Sequence, residues 1–545
     1  MFVTVCIKTE YTPYSYRANF YQQCLDTCLK NGWALITNEY MKYHHKEMQD
    51  GISDRLLKEF ELRKLSDEEY NDVEQYFIPD SIFEDKEKEI GSRTGMLSFL
   101  STQSFELLEN YVKGIIKEIK SKHPEEKIDG MFYCAESCKP FRNVCDELGI
   151  PLIPYCFSAI KIPHGYRQTL YYANLKGLSY NSNECKDRYH NYLKEGETNI
   201  PVFSNREIIA LIGKERTLPL LQLMNHAPKY EMGVCCECYA VIPQFYDFNQ
   251  YTDDDVFYEC NELYSPDQIK VRSHALQLDH IQVDRSEVHN DAAPFILSCK
   301  RLTSVRSQIT LKNLLWKRTA VMKKNTHAFS FMCETDYSST KLADIKALNY
   351  FVFAYLIPTK LMFSKEYWEW RVSNPTETEI YKRHLSYYIE ELHLKVDDLA
   401  INDESKRFAK LLKDRNCDEE LIEILIKDDQ NFDVDYDVAS SKFVVNGKNH
   451  WRINKVVGDD LHCHIELNVD NIDSFDFYPI DDCAGFANLC EVLVNGKAVV
   501  VEKGFKYMKK VEGHYHIDLP KAISGPCIID CKWQYKKIKD YLEGK

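Results

Sequence analysis

Short apolar runs alternate with amphipathic stretches along this chain, and that alternation confines it to strands joined by helices. Phe2–Lys8 reads as a strand, Tyr21–Asn31 as a helix closed by Gly32, and Ala34–Thr37 as the next strand. Leu107–Lys120 reads as a long amphipathic helix stopped by His123-Pro124. Ile128–Cys134, Pro140–Leu148 and Pro151–Phe157 then follow as strand, helix and strand. Parallel neighbours need a crossover of a dozen or more residues, and this spacing supplies one. The expectation is α/β with a parallel, doubly wound sheet. The charged stretch around Asp54–Lys88 reads as a helical insertion or lid.

After a polar segment, Gly177–Asn199, the pattern restarts. Leu218–Met224, Val234–Tyr239 and Gln268–Val271 are strand candidates. Phe295–Leu297 reads as a strand, Ser298–Ser307 as a polar loop, about Gln308–Lys317 as a helix, and Thr319–Met322 as a strand. Helices dominate from Ala343 to Lys427, including Thr376–Glu391. Beyond Val438 the runs shorten and alternate. Asn446-Gly447 and Asn495-Gly496 each separate two of them, which signals hairpins. That tail is expected to be a small accessory β-sandwich. The chain of 545 residues exceeds one core. It divides in expectation into 1–200, 201–370, a helical segment 371–435, and the sandwich 436–545.

A net charge of −15 argues against nonspecific nucleic-acid binding as the main activity. The start MFVTVCIKTE reads as a strand and not as an export signal, so the twenty cysteines are expected to be cytosolic and reduced. The apolar run Tyr350–Ile357 ends at Pro358 and is too short to span a bilayer, so it reads as a core helix.

Four constellations stand out. The loop Ser298–Ser307 places Ser298, Lys300, Arg301, Thr303, Ser304, Arg306 and Ser307 just before a helix. Hydroxyls, cations and free N–H groups at such a place suit a phosphate, although Ser and Thr also cap helices. Lys270, Arg272 and His274 lie along and just past a strand, where ligands of open α/β sheets sit. Glu136 follows a strand and precedes a helix; it could act as a general base or as a cap. Lys161, His164, Tyr166 and Arg167 form a polar loop after a strand, suited to an acceptor. Cys235–Cys238 and His462-Cys463-His464 lack the paired spacing of a zinc site. Asp253–Asp255 reads as a solvated acidic turn, so no metal site is expected.

These residues bring a family into view. A basic strand ending in His274, a Ser/Thr loop, the helix end Leu314-Leu315-Trp316-Lys317-Arg318 and the strand Thr319–Val321 resemble GT-B glycosyltransferases. The likeness is to bacterial capsule and O-antigen (lipopolysaccharide) transferases of the Kdo type, which use CMP-Kdo. Arg272-Ser273-His274-Ala275 resembles their basic-x-His-Pro element, with Ala275 where the family carries proline. Glu147–Thr169 resembles their acceptor side. The resemblance implies two Rossmann-like domains, 1–200 for the acceptor and 201–370 for the nucleotide-sugar, facing across a cleft. It implies glycosyl transfer without a metal or other cofactor, the nucleotide-sugar being a substrate. Glu136 would be the base. The implied place is the cytoplasm or the inner face of the membrane, with peripheral membrane contact and homo-oligomer formation left open. Two other readings stand beside it: a nucleotide-sugar epimerase of the same shape, and a non-catalytic assembly protein.

Overall fold

The computed structural model describes residues 1–7, 14–52, 57, 62–91, 93–134, 138–161, 165–175, 182–196, 200–236, 251–272, 292–427, 440–458, 460–479, 485–499 and 514–537. Six strands open the chain: β1 (Phe2–Cys6), β2 (Ala34–Asn38), β3 (Gln75–Ile78), β4 (Gly130–Cys134), β5 (Leu152–Phe157) and β6 (Leu170–Ala173). The first five are parallel in the order β3-β2-β1-β4-β5, and β6 is antiparallel to β5. This is the doubly wound order of Rossmann-like sheets, with its reversal between β1 and β4.

Alternation along the strands feeds two layers. Phe2 and Phe132 face the helix Tyr14–Asn31, while Val3, Val5, Met131 and Tyr133 face the helices Glu106–Lys122 and Lys139–Leu148. The stretch expected to be an insertion or lid instead contributes β3, paired in parallel with β2. Its buried Tyr76 and Ile78 meet the same core as Ile82 of the following helix. The abundance of charge around a four-residue edge strand hides it from a periodicity reading.

The second sheet holds β7 (Tyr230–Cys235), β8 (Ile269–Arg272), β9 (Cys299–Thr303) and β10 (Thr319–Val321), in the order β8-β7-β9-β10 and parallel throughout. Two expectations fail here. Phe295–Leu297 is not a strand; it lies in the helix Ala293–Ser298, with Pro294 in its first turn, and the strand is the next five residues. Leu218–Met224 is not a strand either, and Glu215–Leu223 forms a 3-10 helix. Both runs are buried on all sides, where apolar continuity cannot separate strand from helix. Asp253–Asp255 is the first turn of the helix Asp253–Leu263, not an acidic turn in a loop. Thr252 and Asp255 form its capping box.

Tyr350–Tyr355 is buried within a helical run, and β11 (Ile357–Pro358) then returns to pair with β6 of the first sheet. One hydrophobic core therefore contains Leu170 and Tyr172 of the first sheet, Leu302 and Ala320 of the second, and the helices Asn205–Ile212, Glu377–Glu391 and Glu404–Asp414. Among the described residues no helix is long and apolar enough to cross a membrane.

The tail comprises β12 (Ser440–Val445), β13 (Lys448–Ile453), β14 (Lys455–Val457), β15 (Asp460–Tyr478), β16 (Gly485–Val494), β17 (Lys497–Ala498) and β18 (Tyr515–Lys537). Both Asn-Gly hairpins form, with positive φ at Asn446, Gly447, Asn495 and Gly496. The expected sandwich does not. The strands make one hydrogen-bonded antiparallel sheet built on the long β15–β18 pair. Its buried side chains, among them Phe443, Ile465, Phe477, Ile529 and Trp533, form a single cluster. β15 carries β12 and β14, β18 carries β16, and β13 and β17 add outside β12 and β16, so the strands run on as one sheet.

Candidate functional site

In open parallel sheets, ligands bind outside the carboxyl ends of the strands, where the strand order reverses. In the second sheet that point lies between β7 and β9, at Cys235 and Thr303. The connection Ser304–Gln308 springs from it. Its Ser304 Oγ shares a hydrogen bond with Thr310 Oγ1 at 2.9 Å, and the Ile309 N–H reaches Ser307 Oγ at 3.5 Å. Both bonds lie at the start of the helix Ile309–Leu315, whose N-cap residue, Gln308, makes no side-chain capping bond. Other groups are left over. The backbone N–H groups of Val305 and Ser307 make no hydrogen bond to any described residue. Thr303 Oγ1 is buried without a partner among the described residues. Arg306, half-buried, adds a cation beside them.

The segment after β10 braces this connection. Thr326 Oγ1 donates to the Val305 carbonyl at 3.1 Å, and His327 Nε2 meets the Arg306 carbonyl. Burial, and then the neighbouring Arg306 charge, push the His327 imidazole down to about 3. It is therefore neutral at ordinary pH and can donate one N–H to that carbonyl. Thr326 and His327 carry no sequence signal, because their partners lie 21 residues away on another strand's connection.

The other residues expected to bind phosphate are dispersed. Ser298 ends a helix and donates to the Phe295 carbonyl at 2.7 Å. Lys300 and Arg301 lie within β9, not in a loop. Lys300 pairs with Glu231 at 3.2 Å, while Arg301 pairs with it at 2.7 Å and also donates to the Ser338 and Ser339 carbonyls. Lys270 is buried in β8 with Nζ 5.3 Å from the Tyr230 ring centroid. Arg272 ends β8, and its guanidinium lies 6.0 Å from the Phe295 ring. His274, Glu136 and His164 lie outside the described residues. The family-like end of the following helix has a structural use. Arg318 donates to the carbonyls of Leu223, Met224, His226 and Leu297, and Asn313 donates to that of Thr319.

At the carboxyl edge of the first sheet, Cys6 and Cys134 end β1 and β4, the strands that flank its reversal. The helix Tyr14–Asn31 closes over them, with Cys24 Sγ 3.8 Å from Tyr155 OH. Burial raises the Cys134 thiol well above its ordinary range, so it behaves as a small hydrophobe. Lys161 lies with Nζ 4.3 Å from the Phe157 ring, and burial pulls its ammonium down to about 8. The loop after it is clamped. Arg167 N–H donates to the Ile212 carbonyl, while Lys214 N–H and Thr217 Oγ1 donate to that of Gly165. Tyr166 is buried under Lys312 Nζ, 5.2 Å from its ring. Lys312 belongs to the helix that follows the Ser304–Gln308 connection, so the two sheet edges meet at this contact.

Beside Arg167 lies a cavity of ≈ 70 Å³ at the β6–β11 end of the first sheet's carboxyl edge. It is away from the Ser304–Gln308 connection and takes residues from five distant stretches, including Gln23, Arg167, Ile212, Lys360 and Glu391. Among the described residues no group of three or more His, Cys, Asp or Glu is placed to hold a metal ion.

No family model and no curated protein sequence matches the chain. Among solved structures it is similar to the KpsC beta Kdo 2,4 transferase of Thermosulfurimonas dismutans, at 12% identity over 36% of this chain and 68% of that one, TM-score 0.24. The KpsC beta Kdo 2,7 transferase of the same organism matches at 12% identity over 46% and 94%, TM-score 0.26. The UDP-GlcNAc 2-epimerase of Methanocaldococcus jannaschii, a complex with UDP-GlcNAc and UDP, matches at 11% identity over 61% and 86%, TM-score 0.27. These likenesses are distant.

Proposed function

We propose that this protein is a glycosyltransferase that moves a sugar from a nucleotide-sugar donor to a glycan hydroxyl. The observation that carries the reading is the Ser304–Gln308 connection. It stands at the reversal point of a parallel sheet and holds, beside Arg306, two backbone N–H groups without a hydrogen bond to a described residue. N–H groups and a cation at such a point suit a phosphate. The donor's leaving phosphate would accept hydrogen bonds from Val305 and Ser307, with Arg306 offsetting the charge that grows as the bond to the anomeric carbon breaks. A base takes the proton of the acceptor hydroxyl while its oxygen forms the new bond to that carbon. Glu136, two residues beyond the end of β4, is the base this reading assigns. The acceptor enters beside Arg167, on the clamped loop that touches the helix after the donor connection. A CMP-linked, Kdo-like sugar is the donor favoured by the sequence resemblance.

Thermal shift of the full chain against CMP, UDP and GDP tests the donor site. Stabilisation is expected, strongest with CMP, and it should fall away in Arg306→Ala. If no nucleotide stabilises the protein, or if Arg306→Ala responds like the parent, the reading fails. Product analysis with the donor alone then separates transfer from isomerisation, because an epimerase would release an altered sugar without an acceptor.

A further inference from the structure

We propose that the cavity beside Arg167 is a binding site for a small hydroxylated carboxylate, the size of a glyceric acid unit. Its chemistry follows from which lining groups are already satisfied. Lys360 Nζ pairs with Glu391 at 2.6 Å, and the Tyr387 hydroxyl lies within 3.3 Å of the same carboxylate, so that negative charge is compensated. The Tyr387 hydroxyl also approaches Gln168 Oε1 at 3.1 Å, which turns the amide N–H groups of Gln168 away from that bond. They have no other partner among the described residues. The Arg167 guanidinium makes no hydrogen bond to a described residue. Its nearest carboxylate, Glu215, is 3.9 Å away and is already held by Arg415 at 3.1 Å.

The cavity thus presents one planar cation, a neighbouring amide donor, and Gln23, whose Nε2 donates to Thr27 and whose carbonyl end accepts nothing from a described residue. A guanidinium fork fits a carboxylate in two parallel hydrogen bonds, and the amides fit hydroxyls. Size narrows the ligand further. At about 10–15 Å³ per water, ≈ 70 Å³ admits roughly five to seven non-hydrogen atoms. A carboxylate with two hydroxylated carbons has that size. The frame is stiff, because the Arg167 N–H is fixed to Ile212 and Thr359 Oγ1 donates to the Thr169 carbonyl at 2.6 Å. As the place where an acceptor's acidic end would seat, the cavity rests on the transferase reading. As a binding site it does not, so its test omits nucleotide.

The experiment is ligand-observed NMR on the full chain with D-glycerate, glycerol and glycerol 3-phosphate, each titrated to about 10 mM, since so small a ligand binds weakly. Saturable binding of glycerate is expected, at least tenfold tighter than glycerol and tighter than the phosphate. Arg167→Gln should weaken glycerate at least tenfold. Its side chain is exposed and, among the described residues, makes only the 3.9 Å ion pair with Glu215, so the variant's melting temperature should match the parent's. No saturable binding of glycerate, equal binding of glycerol, preference for the phosphate, or an unchanged Arg167→Gln titration would each overturn the proposal. Glycerate binding by a protein that ignores every nucleotide would keep the cavity and remove the transferase.

Discussion

His384 and His516 are the same side chain in two regions that treat it in opposite ways. His384 lies in the shared core between the parallel sheets, fully buried, its Nε2 2.9 Å from the Tyr367 hydroxyl. Burial, then the charges of Arg371, Arg188 and Arg383, push it down to about 3. His516 lies on the solvent face of the terminal sheet, 2.7 Å from Asp476 and 3.4 Å from Asp518. The Asp476 hydrogen bond raises it above the ordinary histidine range. Where water is excluded, the cost of bringing in a charge dominates; where water remains, the nearest carboxylate does. Ion pairs divide the same way. In the core, Arg407 makes two bonds to the fully buried Glu207 at 2.6 and 2.9 Å, whereas Lys532 and Asp460 pair across an open sheet surface.

The largest effect should come from breaking the core pair. Arg407→Ala strands a buried carboxylate and should cost about 3–5 kcal/mol in urea denaturation. Lys532→Ala should leave the midpoint unmoved. Similar midpoints for the two variants would erase the contrast.

Acid comes next. The folded pKa of His384 and of His327 lies far below the unfolded value near 6.5. Their contribution is whole above about pH 6.5 and is lost as pH falls toward about 3, because the unfolded chain takes up the protons first. The loss should be on the order of a few kcal/mol, and His384→Gln should flatten that acid limb. A stability profile level from pH 6.5 to 4 would contradict a buried neutral imidazole.

Arg306 is half-buried, between the two regimes. Removing it should weaken nucleotide binding about tenfold, roughly 1.4 kcal/mol, with little change in fold stability. Calorimetric titration of Arg306→Ala measures this, and equal loss of binding and of stability would mark Arg306 as structural instead. The smallest effect belongs to His516. Its pKa is raised, so its contribution is present below the unfolded pKa and fades as pH rises through the folded one, the reverse of His384. His516→Gln should remove a slight decline in stability above neutral pH, seen in denaturation midpoints between pH 6 and 8.

Much of the architecture was legible. The strand–helix–strand spacing through β1, β4 and β5 announced a parallel, doubly wound sheet, and Asn446-Gly447 and Asn495-Gly496 announced their hairpins. Phe295–Leu297 misled because a run buried on every side has no period to read, and that error put Lys300 and Arg301 in a loop when they belong to β9. For the candidate site, the place of Ser304, Arg306 and Ser307 before a helix was readable from residue types alone. The bracing by Thr326 and His327 was not.

Local sequence, through hydrophobic period and turn chemistry, determined most of the strands and helices and the phosphate-like connection, since those depend on neighbours a few residues apart. Only the tertiary structure decided that β11 returns to the first sheet, that the tail is one sheet, and that Gln23, Arg167, Lys360 and Glu391 line one cavity. Those outcomes depend on which surfaces lose water together, and segments hundreds of residues apart carry no periodic mark of their shared burial.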